Sequence, residues 1–392
     1  MDQNQLTNPV SFHGRGGEFF GIWIVNILLS IVTLGIYSAW AKVRTKRYFY
    51  GNTHISGDNF EYHAKPIQIL KGRIVALVVV LIWSVSSQFF PVASMALLLA
   101  FYAALPWLLW SNARFDSAMT SYRNVHFSFT APLKSAYVTL LGRGVGALLI
   151  LAVYIGISIA VGSVSTAAGI AMWFGLFAVM AVVYAWVVAG AHRFFANGYQ
   201  YGDWKFSAEI TTGFFLKTYC KAMIIGVLSA LAFAVVAMLV VFGGVEFSQL
   251  HLSDLSQVGQ SAGAFAGVVI VYAAMIVLTI ALTAYTTTRV RNYVFSQLVA
   301  QQEDQSETAF RFASTMSVSS YMGLVISNFL LQVITLGLAR PWVMVRTSRY
   351  LSERTAVVGN MTLLVAVDQD SDVKSAVTDE VAQAFDLGIG IN

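Results

Sequence analysis

Eight apolar stretches, near residues 19–41, 74–90, 92–111, 144–164, 167–191, 222–245, 262–285 and 320–339, constrain this chain more than any other feature. Each is close to the roughly 20 residues a helix needs to cross a hydrocarbon core of about 30 Å. Inside lipid every backbone N–H and C=O must be paired within its own segment, so stretches of this kind are helices. Composition agrees: 11% of the 392 residues are charged and 57% are apolar, whereas a soluble domain carries about 25% charge. That excludes a soluble enzyme, a disordered chain and a disulfide-built scaffold. Cys220, the lone cysteine, has no partner for an internal disulfide. Residues 1–11 are polar, without a basic start, and no small-residue cleavage site follows, so no signal peptide is expected.

Charge placement orders the stretches. The connections near 88–93, 164–169 and 246–261 hold no Lys or Arg. The intervening ones hold many: Lys42, Arg44, Lys46 and Arg47 after the first stretch, Arg114 and Arg123 after the third, Arg193 and Lys205 after the fifth, Arg289 and Arg291 after the seventh. By the positive-inside rule these lie in the cytoplasm. Stretches two and three, four and five, and six and seven then pair as transmembrane hairpins. The eighth has arginines on both flanks and does not fit simple spanning.

The two awkward stretches are copies of one another. Residues 26–48 and 328–350 align without a gap and are identical at 12 of 23 positions, including Asn26/Asn328, Thr33-Leu-Gly35/Thr335-Leu-Gly337, Trp40/Trp342, Arg44/Arg346 and Arg47/Arg349. An aromatic four residues before an arginine recurs at Trp110/Arg114 and Tyr285/Arg289. The helix of Arg193 departs, with Ala189 four residues before it and Trp186 further back; after the arginine of each come a polar segment and a short alternating strand: Phe60-Glu-Tyr62, Phe127-Ser-Phe129, Trp204-Lys-Phe206 and Phe310-Arg-Phe312, with Phe12 opening the series. Gly57-Asp58-Asn59 and Asn197-Gly198 read as turns. A repeat of this kind defines the architecture. The expectation is an all-α integral membrane protein with three transmembrane helical hairpins. Two repeat-related terminal elements would be re-entrant rather than spanning, and short β-hairpins would lie in the cytoplasm. Seven or eight spans is the alternative. Residues 1–365 form the membrane domain; residues 366–392, rich in Asp, form an acidic cytoplasmic tail.

Phe12-His-Gly14 to Phe20, Thr33-Leu-Gly-Ile-Tyr37, Trp40, Lys46-Arg47-Tyr48 and the middle run Arg123-Asn-Val-His-Phe127-Ser-Phe129 resemble the YjgN-like family of bacterial inner-membrane proteins. The resemblance extends to about residue 360. It implies a multi-pass protein of the inner membrane and brings no catalytic or ligand residue, because the family's function is unknown.

The residues themselves offer little chemistry. Acids lie in loops, tails or helix ends, and coupled carriers ordinarily place one inside the membrane. The six histidines have no metal-ligand spacing; Gly14-Arg-Gly16-Gly17 follows no strand-to-helix unit and is weak as a phosphate loop. No enzyme activity, metal or cofactor is expected, and no nucleic-acid partner. Trp40, Arg44, Arg47, Trp342, Arg346 and Arg349 are ordinary headgroup-level anchors or, in a sharper reading, a basic pocket for an anionic solute or lipid headgroup. Asn26, Asn328 and Gln332 stand within the apolar runs, as mutual partners or as the lining of a polar path. Transport of a small or anionic solute is the first functional expectation, since transporters arise from repeats with broken helices. A non-transporting lipid-binding or scaffold protein is the second. Both chain ends are expected in the cytoplasm.

Overall fold

A computed structural model describes residues 6–242, 262–302 and 309–368. The described chain repeats one unit five times: strand, helix, helix, strand. The first unit is β1 (Thr7–Phe12), α1 (Gly16–Val32), α2 (Ser38–Gly51) and β2 (Thr53–Ile55). The second is β3 (Asp58–Tyr62), α3 (Pro66–Phe89), α4 (Pro91–Ala118) and β4 (Thr120–Tyr122). The third is β5 (Val125–Phe129), α5 (Leu133–Val164, with a π-helical stretch at Tyr137–Gly142), α6 (Thr166–Ala196) and β6 (Tyr199–Tyr201). The fourth is β7 (Trp204–Ala208), α7 (Thr212–Phe242), α8 (Ala262–Gln297) and β8 (Leu298–Gln302); the fifth is β9 (Ala309–Ser314), α9 (Val318–Ile334), α10 (Arg340–Glu353) and β10 (Thr355–Val358).

Among the described residues six helices, α3 to α8, are long and apolar enough to cross a membrane. The strands overturn the all-α expectation. All ten join edge to edge in one antiparallel sheet that closes into a barrel, with β1 paired to both β2 and β10. An isolated two-stranded hairpin is marginal in water and leaves both edges open. Closure removes every edge. The turns also differ from expectation. The first hairpin turns at Ser56-Gly57, where φ is 51° and 93°, and Asp58 is already paired with Ile55. Two positive φ values in a two-residue loop are the geometry that suits the strand twist; Arg123-Asn124 repeats it. Asn197-Gly198 is not a hairpin turn. Asn197 ends α6, its amide bonding the carbonyls of Arg193 and Ala208, and the β6–β7 turn is Gly202-Asp203.

Alternation sends one side chain in two into the barrel. Val10, Ile55, Tyr122, Tyr201, Trp204, Ala300, Phe310 and Val357 are buried together there, with Phe60, Phe127, Phe206 and Phe312 packed against them. Eight strands already enclose enough space to be filled by side chains; ten short ones enclose more. The segment after β10 takes up the remainder at the end bearing the hairpin turns. Met361, Leu364 and Ala366 join the barrel core. Trp204 Nε1 donates to the Val365 carbonyl at 3.0 Å, Arg123 to the Met361 carbonyl at 2.9 Å, and Val367 N–H to Asp203 at 3.2 Å. Residues 366–368, expected in the acidic tail, thus lie against the barrel, and His126 holds Asp368 at 3.0 Å. The tail acids from Asp370 onward, like the connection carrying Glu246 and Asp254, lie outside the described residues.

The helices leave the other end of the barrel, and each boundary between units carries the same brace. A side chain near the end of the returning helix donates to the carbonyl of the second residue past the next unit's first strand. Arg47 reaches Ala64 (3.4 Å), Trp110 reaches Ala131 (2.7 Å), Arg193 reaches Ile210 (3.1 Å), Asn292 reaches Met316 (2.8 Å) and Arg349 reaches Gly14 (2.9 Å). The last bond joins the fifth unit to the first and closes the ring. Buried clusters fill each junction, as where Phe19 and Phe12 meet Val345, and where Phe115 meets Val43 and Ile69.

Candidate functional site

The two short hairpins are neighbours in the ring, and their contact is cyclic rather than two-fold. Helix α1 of the first packs on α10 of the last. Phe20 and Trp342 lie 5.0 Å apart between ring centroids. Gly16 permits this approach, since a Cβ there would sit 2.3 Å from Trp342 Cδ1. At 17 residues, α1 and α9 are each about 26 Å long. The returning α2 and α10 have 14 residues and carry the arginines. These hairpins therefore stand lower than the three long ones, side by side.

Their tips are alike. Leu34 and Leu336 are 94% and 93% exposed and take left-handed φ values of 49° and 50°, followed by Gly35 and Gly337 at 92° and 86°. An exposed leucine at a turn suits hydrocarbon, provided the turn satisfies its own backbone. It does. Gly35 N–H bonds the Ser30 carbonyl, Thr33 Oγ1 donates to Leu29 and accepts from Tyr37 N–H. The second tip repeats each bond: Gly337 to Gln332, Thr335 to Leu331, Ala339 to Thr335. Gln332 thus serves the turn through its main chain.

The matching arginine pairs in the two copies divide into two roles. Arg47 and Arg349 are ring braces at successive unit boundaries, and Arg47 Nε also donates to the Tyr62 carbonyl at 3.1 Å. Arg44 and Arg346 stay within their own hairpins. Arg44 donates to Asn26 Oδ1 (3.4 Å) and to the Tyr37 hydroxyl (3.2 Å); Arg346 donates to Ser327 Oγ (2.9 Å). Trp40 stacks on Tyr37 at 6.2 Å. The four guanidiniums are therefore spread over two unit boundaries and two hairpin interiors. Asn26 and Asn328 are each about 95% buried. Each ties its helix to the returning one, Asn328 through Thr347 Oγ1 at 3.1 Å, and each keeps one amide atom, Asn26 Nδ2 and Asn328 Oδ1, without a partner among the described residues. Sequence reasoning missed the brace because its acceptors are main-chain carbonyls, which no residue type announces; the even spacing from strand end to acceptor was the available signal.

At the barrel's outer face, His63 lies 2.7 Å from Ser121 Oγ and 5.0 Å from the His126 ring. Burial, and then the neighbouring His126, hold its pKa below the usual imidazole value. Among the described residues no group of three or more His, Cys, Asp or Glu is placed to hold a metal ion.

Comparison with known proteins places these features in a family. A family profile described as "Bacterial protein of unknown function (DUF898)" matches residues 7–384. The chain is similar to the inner membrane protein YjgN of Salmonella typhimurium, 25% identical over 379 residues, covering 93% of this chain and 92% of that one. It is similar also to the YjgN protein of Escherichia coli K12, 24% identical over 380 residues, with 92% and 90% covered. No solved structure matches.

Proposed function

The chain belongs to the DUF898 family and is a multi-pass protein of the bacterial inner membrane, and from this premise we propose that it binds anionic lipid at its two short hairpins. It acts there without covalent chemistry, with both chain ends in the cytoplasm. The observation that carries this reading is the pair of adjacent low hairpins. Their apolar tips meet acyl chains, while Trp40, Arg44, Trp342 and Arg346, on the first two turns of the returning helices, offer rings and guanidiniums to a headgroup. Passage along the ring axis is disfavoured by the barrel core, where Trp204 and Phe310 are buried and the segment around Met361 fills the turn end.

The test is native mass spectrometry of the protein released from membranes with its lipids. Retained anionic lipid that falls several-fold in Arg44→Gln/Arg346→Gln supports the reading; unchanged retention refutes it. Transport of a small or anionic solute is a second reading, favoured by the unpartnered amide atoms of Asn26 and Asn328, which a hydrated path would satisfy. Solute flux into proteoliposomes, abolished by Asn26→Leu/Asn328→Leu, would support it.

A further inference from the structure

A cavity of about 630 Å³ opens between the third and fourth units, away from the short hairpins, where the helices meet the barrel. That size is ordinary for a small-molecule site, about 300–1,000 Å³. Arg143, Arg193, Glu209, Gly190 and Thr139 are among its lining residues.

Arg143 is held in place. Its Nη1 donates to the Trp186 carbonyl at 2.8 Å and its guanidinium lies 5.2 Å from the centre of the Trp186 ring. Gly190 makes the room: a Cβ there would fall 2.3 Å from Arg143 Nη1. The π-helical stretch Tyr137–Gly142 ends immediately before Arg143 and carries Thr139. Such wide turns are rare and concentrate at functional sites. Arg193 uses Nε and Nη2 on the Ile210 carbonyl. A guanidinium has five N–H donors. Among the described residues, the hydrogen-bond partners of both arginines are main-chain carbonyls, so most of these donors remain over, and neither arginine is in an ion pair. Two adjacent cations near a low-dielectric layer favour an anion between them, and guanidinium donors match phosphate oxygens. Glu209 adds one carboxylate to the same cavity. The helices that carry Arg143 and Arg193 expose apolar side chains, at Val138, Val145 and Val182.

We propose that this cavity binds a phospholipid headgroup of the phosphoethanolamine type, with the phosphodiester on Arg143 and Arg193 and the ammonium on Glu209. The two cations fix the phosphate; the acid selects a headgroup that carries a positive charge over one that does not.

The experiment uses the full chain in nanodiscs of equal phosphatidylethanolamine and phosphatidylglycerol, with retained lipid read by native mass spectrometry and folding checked by thermal unfolding. With Arg44→Gln/Arg346→Gln as the background, which removes anionic lipid at the short hairpins from the count, the chain is expected to retain phosphatidylethanolamine preferentially. Arg143→Met/Arg193→Met should lower that retention at least tenfold, and Glu209→Gln should retain lipid while shifting preference toward phosphatidylglycerol. Glu209 lies on an exposed connection, so its variant decides the matter should the arginine variants fail to fold. Equal retention of the two lipids by that background chain, or a preference unchanged when Glu209→Gln is added to it, overturns the proposal. Soluble O-phosphoethanolamine is the second probe. Complete displacement of lipid by it would overturn the lipid source and assign the cavity to a soluble phosphate ester. Comparing that background with the wild type reads the anionic lipid at the short hairpins separately, so failure of the short-hairpin reading is separable.

Discussion

Replacing Arg349 by Met tests whether the ring is held shut by its braces. The Met keeps most of the apolar stem and loses the guanidinium, so the change isolates the bond to Gly14 at 2.9 Å. A hydrogen bond from a charged group contributes about 1.5–3 kcal/mol, and a buried carbonyl left without its donor costs about 1–3 kcal/mol. Arg349 is itself exposed, so water replaces part of what is lost; a net cost of about 1–2 kcal/mol is expected. At roughly 2–4 °C per kcal/mol, the apparent Tm falls by about 2–8 °C. The matched control is Arg346→Met, three residues earlier on the same helix, whose guanidinium reaches only an exposed serine hydroxyl. Its cost should stay within about 0.5 kcal/mol. Hydrogen exchange localises the effect: the amides of β1 and β10, which meet across the closing boundary, should lose protection in Arg349→Met while those of β6 and β7 do not. Equal Tm losses in the two variants, or exchange that rises uniformly around the barrel, would refute the brace argument.

Three further outcomes follow from the same geometry. Trp204→Ala removes a side chain that is 1% exposed and should cost about 3–5 kcal/mol, whereas Trp204→Phe should chiefly release the amides of residues 361–367, read by hydrogen exchange, because only the bond to Val365 is lost. Gly337→Ala places a Cβ at φ 86° and should cost about 1–2 kcal/mol; a Tm equal to wild type would show that the tip turn is not as described. The lowered pKa of His63 makes the folded state bind fewer protons than the unfolded one, so stability rises with pH between the folded value and about 6.5 and is lost as pH falls through that window. His63→Gln should flatten the pH dependence of Tm there, and an unchanged slope would assign it to another group.

Much of the fold is legible in the residues. The long hairpins follow from apolar length and from the absence of Lys and Arg in their outer connections. The kinship of the short hairpins is written in the Asn26 and Asn328 copies. Each short strand shows its alternation, as in Phe127-Ser-Phe129. What the strands do together is not legible, because pairing is long-range: Thr7 meets Val358, and a three- to six-residue strand carries no address for its partner. The same distance hides the roles of the arginines. Arg47 and Arg346 look equally fit for a ligand in sequence, yet one bonds the neighbouring unit and the other its own hairpin. The Arg143 cavity escaped for a different reason. Its arginine opens the apolar part of its helix, its companion comes from another helix, and the residue that makes room for it is a glycine, which reads as packing.

Closure between the first strand and the last has a consequence for biosynthesis. A ribosome adds about 5–20 residues per second, and β10 follows β1 by about 340 residues, so the earliest strand waits on the order of 20–70 s for its second neighbour. By the last part of that interval four units have been made, while the sheet beneath them still has two bare edges. Completion of translation, rather than membrane insertion, is the event that seals the particle. A nascent chain stalled or cut before the final unit presents a sticky edge to the cell, marked for chaperones or proteases by the absence of one short strand.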